Sequence, residues 1–174
     1  MTPIQRKFVP KFPNKYRGDV NNIIARSSWE YAFFYFCDMA DAIKYYASEE
    51  IKIPYLLLTD KKIHHYYPDI VLELVTGDKF IIEIKPFDQR IYKSNKKNNY
   101  KQQETFIKNQ CKWEAATAVA KNNGMKFIIL DEYDLKRLGV RIEINRKIIP
   151  KEKMLYESFD KYGRSVELLI RTLS

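Results

Sequence analysis

The sequence predicts an α/β fold, a small mixed β-sheet flanked by helices. Three observations lead there. Two apolar segments, 64–75 (HHYYPDIVLELV) and 79–85 (KFIIEIK), are separated only by Thr76-Gly77-Asp78, the pattern of an antiparallel hairpin. A long amphipathic stretch, 103–122, follows and is closed by Gly124. Next comes MKFIILD, 125–131, which reads as a buried strand. A helix that crosses over between two strands makes a βαβ unit and favours a parallel pair.

The other elements follow in chain order. Residues 1–26 carry Pro3, Pro10, Pro13 and Gly18 among several Lys and Arg, and read as a basic arm rather than a packed element. Ser27 or Ser28 can cap a helix running to about Met39 or Ala42. Residues 51–58 (IKIPYLLL) predict a strand, with Pro54 marking an edge or a bulge. Residues 88–102 are polar and basic and read as a mobile loop. In 103–122 the expected buried stripe is Phe106, Gln110, Trp113, Ala116 or Thr117, and Ala120. Residues 132–138 predict a short helix. The core therefore spans 27–139, and 140–174 is a C-terminal extension with a possible strand at Arg141–Ile149 and a helix at Arg164–Leu173.

Composition bounds the function. A chain of 174 residues, 45% hydrophobic and 14% aromatic, fits one domain with a real core and excludes general disorder. Lys plus Arg is 31 against 22 for Asp plus Glu, so the formal charge is +9. A polyanion is the first physical reading, because cations that neutralise phosphates release condensed counterions; a basic protein with no nucleic-acid role is the plainer one. Cys37 and Cys111 both sit in apolar, helix-like stretches and read as core residues in a reducing compartment. No CxxC or paired Cys/His spacing supports structural zinc. The longest apolar run, Tyr31–Cys37, is too short to span a bilayer, and the basic, proline-punctuated start does not resemble a signal peptide. A cytoplasmic protein without a membrane partner is expected. The absence of GxxxxGK[ST] and of Gly-x-Ser-x-Gly excludes those routes to nucleotide and acyl chemistry, so no nucleotide cofactor is expected.

The hairpin carries the candidate chemistry. Along 80–85, Phe80, Ile82 and Ile84 take one face while Ile81, Glu83 and Lys85 take the other. In the preceding strand Ile70, Leu72 and Leu74 share a face, and Asp69 and Val71 point the opposite way. Each strand places an acid at the edge of an apolar sheet, where charge is costly unless paired or bound to metal. Two carboxylates plus water are a ligand set that Mg²⁺ prefers. Lys85 could stabilise developing charge or orient a water. The plainer alternative is a cross-strand ion pair.

Upstream, Glu30 lies in an apolar helix, RSSWEYAFF. Ser27-x-x-Glu30 is a capping box, and the same glutamate could also serve the hairpin acids. His64 and His65 are adjacent on a strand and must face opposite sides, which suits a shared metal poorly. Glu73 reads as solvent-facing, and Glu49 and Glu50 as an acidic turn before the first strand, one of which could enter the site.

Pro68-Asp69, thirteen intervening residues and then Glu83-Ile84-Lys85 match the PD-(D/E)xK nuclease signature in order, spacing and placement on consecutive strands. A wider resemblance spans about 6–139: KFVPKFPNKYRGD, RSSWEYAFFYFCD, IPYLLL, YYPDI, FIIEIKP and NQCKWEAATAVAKNNGMKFIIL. These segments resemble the head completion nucleases of tailed phages, a family similar to the transposon endonuclease subunit TnsA. The arm VPK-x-x-x-KYRGD (Val9 to Asp19) and Asn109-x-x-Lys112-Trp113 are the most particular to it.

The resemblance implies a restriction-endonuclease-like core that hydrolyses double-stranded DNA with Mg²⁺, Mn²⁺ substituting. It implies a role in trimming or cutting packaged DNA, with phage head or neck proteins as partners, in the host cytoplasm during assembly or on the virion. Asp69, Glu83 and Lys85 are the expected catalytic core, with Glu30 next; Asp69, Glu83 and Glu30 are the expected metal ligands. Asn109 forms a second tier. Lys11, Lys15, Arg17, Arg90, Lys93, Lys96, Lys97 and Lys112 are candidate DNA contacts from the two basic segments and the helix. Two rivals stay open: a DNA-binding assembly protein that does not need catalysis, and a TnsA-like transposition or restriction subunit.

Overall fold

A computed structural model describes residues 3–91, 100–143 and 163–173. The N-terminal segment is packed, contrary to the expected arm. β1 (Pro3–Phe8) and β2 (Ile23–Ser27) pair antiparallel, and Phe8, Tyr16, Ile23 and Ala25 are buried. The signal was masked because single apolar residues are scattered between charges, and the prolines bracket only a 3₁₀ turn, Pro13–Lys15. Gly18 has φ +136°, a conformation that residues with a Cβ rarely adopt, so the tight turn favours glycine.

Helix α1 (Ser28–Met39) starts where its cap predicts, with the Glu30 amide donating to Ser27 Oγ at 3.1 Å. It buries Trp29, Phe33, Phe34 and Cys37. At its far end Lys15 Nζ donates to the carbonyls of Cys37, Asp38 and Ala40 at 3.0, 2.9 and 2.8 Å. A cation here satisfies carbonyls that the helix leaves without partners and opposes the negative end of its dipole.

β3 (Ile43–Ser48), missed in the sequence, forms the edge of the main sheet. β4 (Ile53–Leu57) and β5 (Lys62–Tyr66) pair only with each other. β6 (Ile70–Leu74) and β7 (Lys79–Ile84) form the expected antiparallel hairpin. The run 64–75 is therefore two strands. Pro68 has no N–H to continue a ladder, so the chain leaves the β4–β5 ribbon at Tyr66 and joins the main sheet at Ile70.

α2 (Phe87–Arg90) and α3 (Tyr100–Asn122) occupy parts of the segment expected as a loop, whose residues 92–99 lie outside the described ones. The buried stripe of α3 is Asn109, Trp113, Ala116 and Ala120, with Asn109 in the place expected for Gln110. β8 (Lys126–Leu130) pairs parallel with β7, as the crossover requires. α4 (Glu132–Arg137) follows, with Asp131 as its cap, and α5 (Gly163–Leu173) matches the expected last helix. Of the strand expected at 141–149, residues 141–143 have no regular structure and the rest lie outside the described residues.

The main sheet thus runs β3-β6-β7-β8. One face, through Ile70, Leu72, Phe80, Ile82 and Ile128, meets α1, the β1–β2 ribbon and α5. The other, through Ile81, Phe127 and Ile129, meets Trp113, Ala116 and Ala120 of α3 and Ile53, Tyr55 and Leu57 of the β4–β5 ribbon. This is the expected α/β architecture of a small mixed sheet between helices. Among the described residues no helix is long and apolar enough to cross a membrane.

Candidate active site

The sheet register assembles the acids. Ile70 pairs with Ile82, and one step onward Asp69 stands opposite Glu83. Glu83 in turn pairs with Ile129 on β8. Alternation keeps Asp69 and Glu83 on the face toward α3, at the end of the sheet where β7 finishes.

Asp69 lies in the break that Pro68 makes. Its Oδ2 accepts from the Ile84 amide at 2.7 Å, so the side chain closes the last rung of the ladder. Loss of solvation, then the nearby Glu83 and Glu30, hold its carboxyl well above the usual range. Glu83 is 3% exposed. It accepts from the Tyr66 hydroxyl at 2.6 Å and from Lys85 Nζ at 3.2 Å. Burial pulls the Lys85 ammonium down, but Glu83, Asp69 and Glu30 outweigh it, and the net shift is upward.

Glu30 enters from the first turn of α1. The capping box forms: its carboxylate accepts from the Arg26 amide at 2.9 Å and from Ser27 Oγ at 2.8 Å. Burial nevertheless raises its carboxyl, and Glu49 and Glu83 add to the rise. The capping role of Glu30 is present, and the cap at the end of the sheet is also a neighbour of the acids.

From α3, Lys112 places its ammonium 5.2 Å from the Tyr66 ring centroid. Burial lowers its pKa, partly offset by Glu83, while Lys85 and Lys108 lower it further. Asn109 lies one helical turn earlier; its Nδ2 is buried and has no hydrogen-bond partner among the described residues. Glu30, Asp69, Glu83, Lys85 and Lys112 thus surround one locus.

The donor set can be tested against a metal. Among the described residues no three or more His, Cys, Asp or Glu are gathered into a ready cage. Mg²⁺ does not require one, since it keeps several waters and binds through one or two carboxylates. Asp69 and Glu83 supply two hard oxygen donors whose mutual repulsion a cation would relieve. The residues fit a hard divalent ion held mostly by water.

The expected DNA contacts divide. Lys11 and Arg17 are exposed, Arg17 lying over the Tyr45 ring at 3.5 Å. Lys15 is committed to the end of α1, so its role is structural. Arg90 must be corrected: it is 2% exposed and bonds Asp131 at 2.7 Å, which puts it out of reach of DNA. Lys93, Lys96 and Lys97 lie outside the described residues. His64 bonds Asp60 at 2.7 Å, and Glu73 pairs with Lys44 at 3.0 Å.

Sequence reasoning missed the bond of Tyr66 to Glu83, and Arg26 with its pairing to Glu49 beside the acids. The tyrosine could have been found from its position three residues before Asp69, on the inward-facing parity of the preceding strand. Glu49 carried a weaker signal, since finding it required β3.

A family model for the N-terminal part of TnsA-like endonucleases matches residues 40–132. The head completion nuclease of Enterobacteria phage T4 is 36% identical over 143 residues, covering 78% of this chain and 95% of that protein. No solved structure matches the chain.

Proposed function

The chain belongs to the TnsA-like endonuclease family, and on that premise we propose that it is a Mg²⁺-dependent deoxyribonuclease of phage head completion. It would trim or cut packaged double-stranded DNA so that filled heads can join tails, acting in the host cytoplasm during assembly alongside head or neck proteins. The observation that carries the reading is Asp69 opposite Glu83 at one sheet end, with Lys85 Nζ at 3.2 Å from Glu83.

Asp69 and Glu83 would hold the ion, with Mn²⁺ as a substitute and Glu30 at the edge of the set. When bound, such an ion polarises the phosphodiester and lowers the pKa of a water. The protein does the rest. Lys85 sets a positive charge beside the phosphoryl oxygens, where negative charge develops, or orients the attacking water. Tyr66 fixes the rotamer of Glu83, and the Ile84 amide fixes Asp69. Lys112 adds charge on the α3 side. The +9 net charge draws the DNA backbone, so binding weakens steeply with salt.

The test is cleavage of plasmid by the full chain with Mg²⁺, with EDTA, and by Lys85→Ala. Cutting should need the metal and the lysine. Cutting that survives both removals overturns the reading. The match to the TnsA-like model favours one rival, a subunit that cuts defined ends with a partner protein. Mapping the cut ends separates them: scattered ends support head completion, a single repeated end supports the rival.

A further inference from the structure

Arg26 stands just before the cap of α1 and has no part in the machinery above. Its guanidinium meets Glu49 through two parallel bonds, Nε to Oε1 at 2.6 Å and Nη2 to Oε2 at 2.9 Å. This is the fork-on-fork geometry that gives Arg its directional strength. The two side chains are 62% and 36% exposed, so the pair does little for stability. Yet Glu49 holds φ +53°, a region disfavoured for any residue with a Cβ. Strain kept for a weak surface pair points to a role beyond stability.

Its location supplies that role. Ser48, the last residue of β3, pairs with Ile70, the first of β6, so Glu49 follows at the same end of the sheet from which Asp69 enters. Glu49, Asp69 and Glu83 therefore gather at one end of the sheet, where Arg26 feels both Glu49 and Asp69 and Glu30 feels both Glu49 and Glu83. Lys85 and Lys112 supply positive charge on the β7–α3 flank. Arg26 is the cation on the β3 flank, tied to the same locus because its backbone amide is held by Glu30 at 2.9 Å. With Nε and Nη2 engaged by Glu49, Nη1 remains to meet a ligand, on a side chain open to solvent.

We propose that Arg26 is a substrate-binding residue that grips a non-bridging oxygen of the DNA phosphate next to the one being cut, and that Glu49 is the positioning residue that presents it. This rests on the nuclease reading and adds a second phosphate subsite to it. The arrangement sets positive charge on both flanks of the acids, Lys85 and Lys112 on one and Arg26 on the other, so that adjacent phosphates are held while the acids face the scissile one. Arg suits this better than Lys, because a planar fork can bond carboxylate and phosphate at once.

The experiment uses the full chain as wild type, Arg26→Ala, Arg26→Lys and Glu49→Gln. Steady-state cleavage of a labelled duplex is measured with Mg²⁺, and duplex binding with Ca²⁺ across a salt series. Arg26→Ala should raise KM and weaken binding about tenfold, and should reduce the salt slope by roughly one unit, the share of one phosphate contact. The melting temperature should stay within a few degrees of wild type. Arg26→Lys should recover only part of the binding, and Glu49→Gln should raise KM by a smaller factor. Binding and KM within twofold of wild type for Arg26→Ala overturn the proposal, as does a fall in melting temperature with unchanged binding. Full rescue by Arg26→Lys overturns the positioning role of Glu49. If the wild type binds duplex but cuts nothing with Mg²⁺, the nuclease reading fails instead, and the binding arm still decides on Arg26.

Discussion

Asp69→Asn should make the metal-free protein more stable while destroying its activity. In the wild type, Asp69 sits with little solvation beside Glu83 and Glu30, which hold its carboxyl well above the ordinary range. Asparagine has nearly the same volume and keeps an oxygen for the Ile84 amide, now bonded at 2.7 Å. Only the charge is lost. Relieving such a functional strain commonly adds about 0.5–2 kcal/mol. For a domain of this size each kcal/mol moves the melting temperature by roughly 2–4 °C, so a rise of about 1–8 °C is expected in EDTA. The sign with pH follows from the raised folded-state pKa. The native state holds this proton more tightly than the unfolded chain, so wild-type stability falls as pH rises from the unfolded carboxyl value, about 3.9, through the folded one. Asp69→Asn lacks that fall, and its advantage should open over the same interval. Saturating Mg²⁺ should invert the order: a ligand at 100 times its Kd adds about 2.7 kcal/mol to the wild type, and little to a variant missing a ligand. Cleavage should drop by more than about 100-fold, beyond the 10–100-fold typical of a residue that only orients a metal ligand. Thermal melts in EDTA and in Mg²⁺, paired with initial cleavage rates, read all of this. A variant less stable than wild type in EDTA, or a wild type whose melt ignores Mg²⁺, refutes the reasoning.

Arg90→Ala removes a buried guanidinium bonded to Asp131 at 2.7 Å and lying 3.6 Å from Asp134, and should cost about 3–5 kcal/mol in a denaturant titration. The salt slope of DNA binding should not change; a lower slope with normal stability would return Arg90 to the DNA. Tyr66→Phe removes a hydrogen bond to a buried carboxylate, an interaction of about 1.5–3 kcal/mol, and should lower kcat while KM holds. An unchanged kcat would show that Glu83 needs no such support. Lys15→Met strips three bonds from the end of α1 and should lower the melting temperature, with cleavage per folded molecule retained. Loss of DNA affinity at full stability would contradict that structural role.

The hairpin, α1, the crossover through α3 and β8 were legible because each has a long, regular apolar period and a clear terminator, such as the Ser27 cap or Gly124 with its φ of +64°. The juxtaposition of Glu83 and Lys85 could be read for the same reason, since strand alternation alone puts them on one face. β1, β2 and β3 were not legible. Their buried residues, Phe8, Ile23, Ala25 and Tyr46, lie in short runs bounded by polar or charged residues and acquire meaning only through tertiary contact. Arg90 misled because a basic segment was read as solvated, whereas the acids that pair with it lie 41 residues onward. The spacing puts Gln110 on the buried stripe of α3, yet Asn109 is the residue buried there, because the stripe runs one position earlier in this turn.

The short joint Tyr67-Pro68 has a consequence for how this chain can vary. It is the fulcrum between two sheets, with Tyr66 braced on Glu83 at one side and Asp69 braced on Ile84 at the other. The ribbon's distal turn, Thr59–Lys61, can lengthen or shorten without disturbing that fulcrum. The joint itself has no such latitude, since one residue more or less would break the fixed span between Tyr66 on Glu83 and Asp69 on the Ile84 amide, and one of the two braces would be lost.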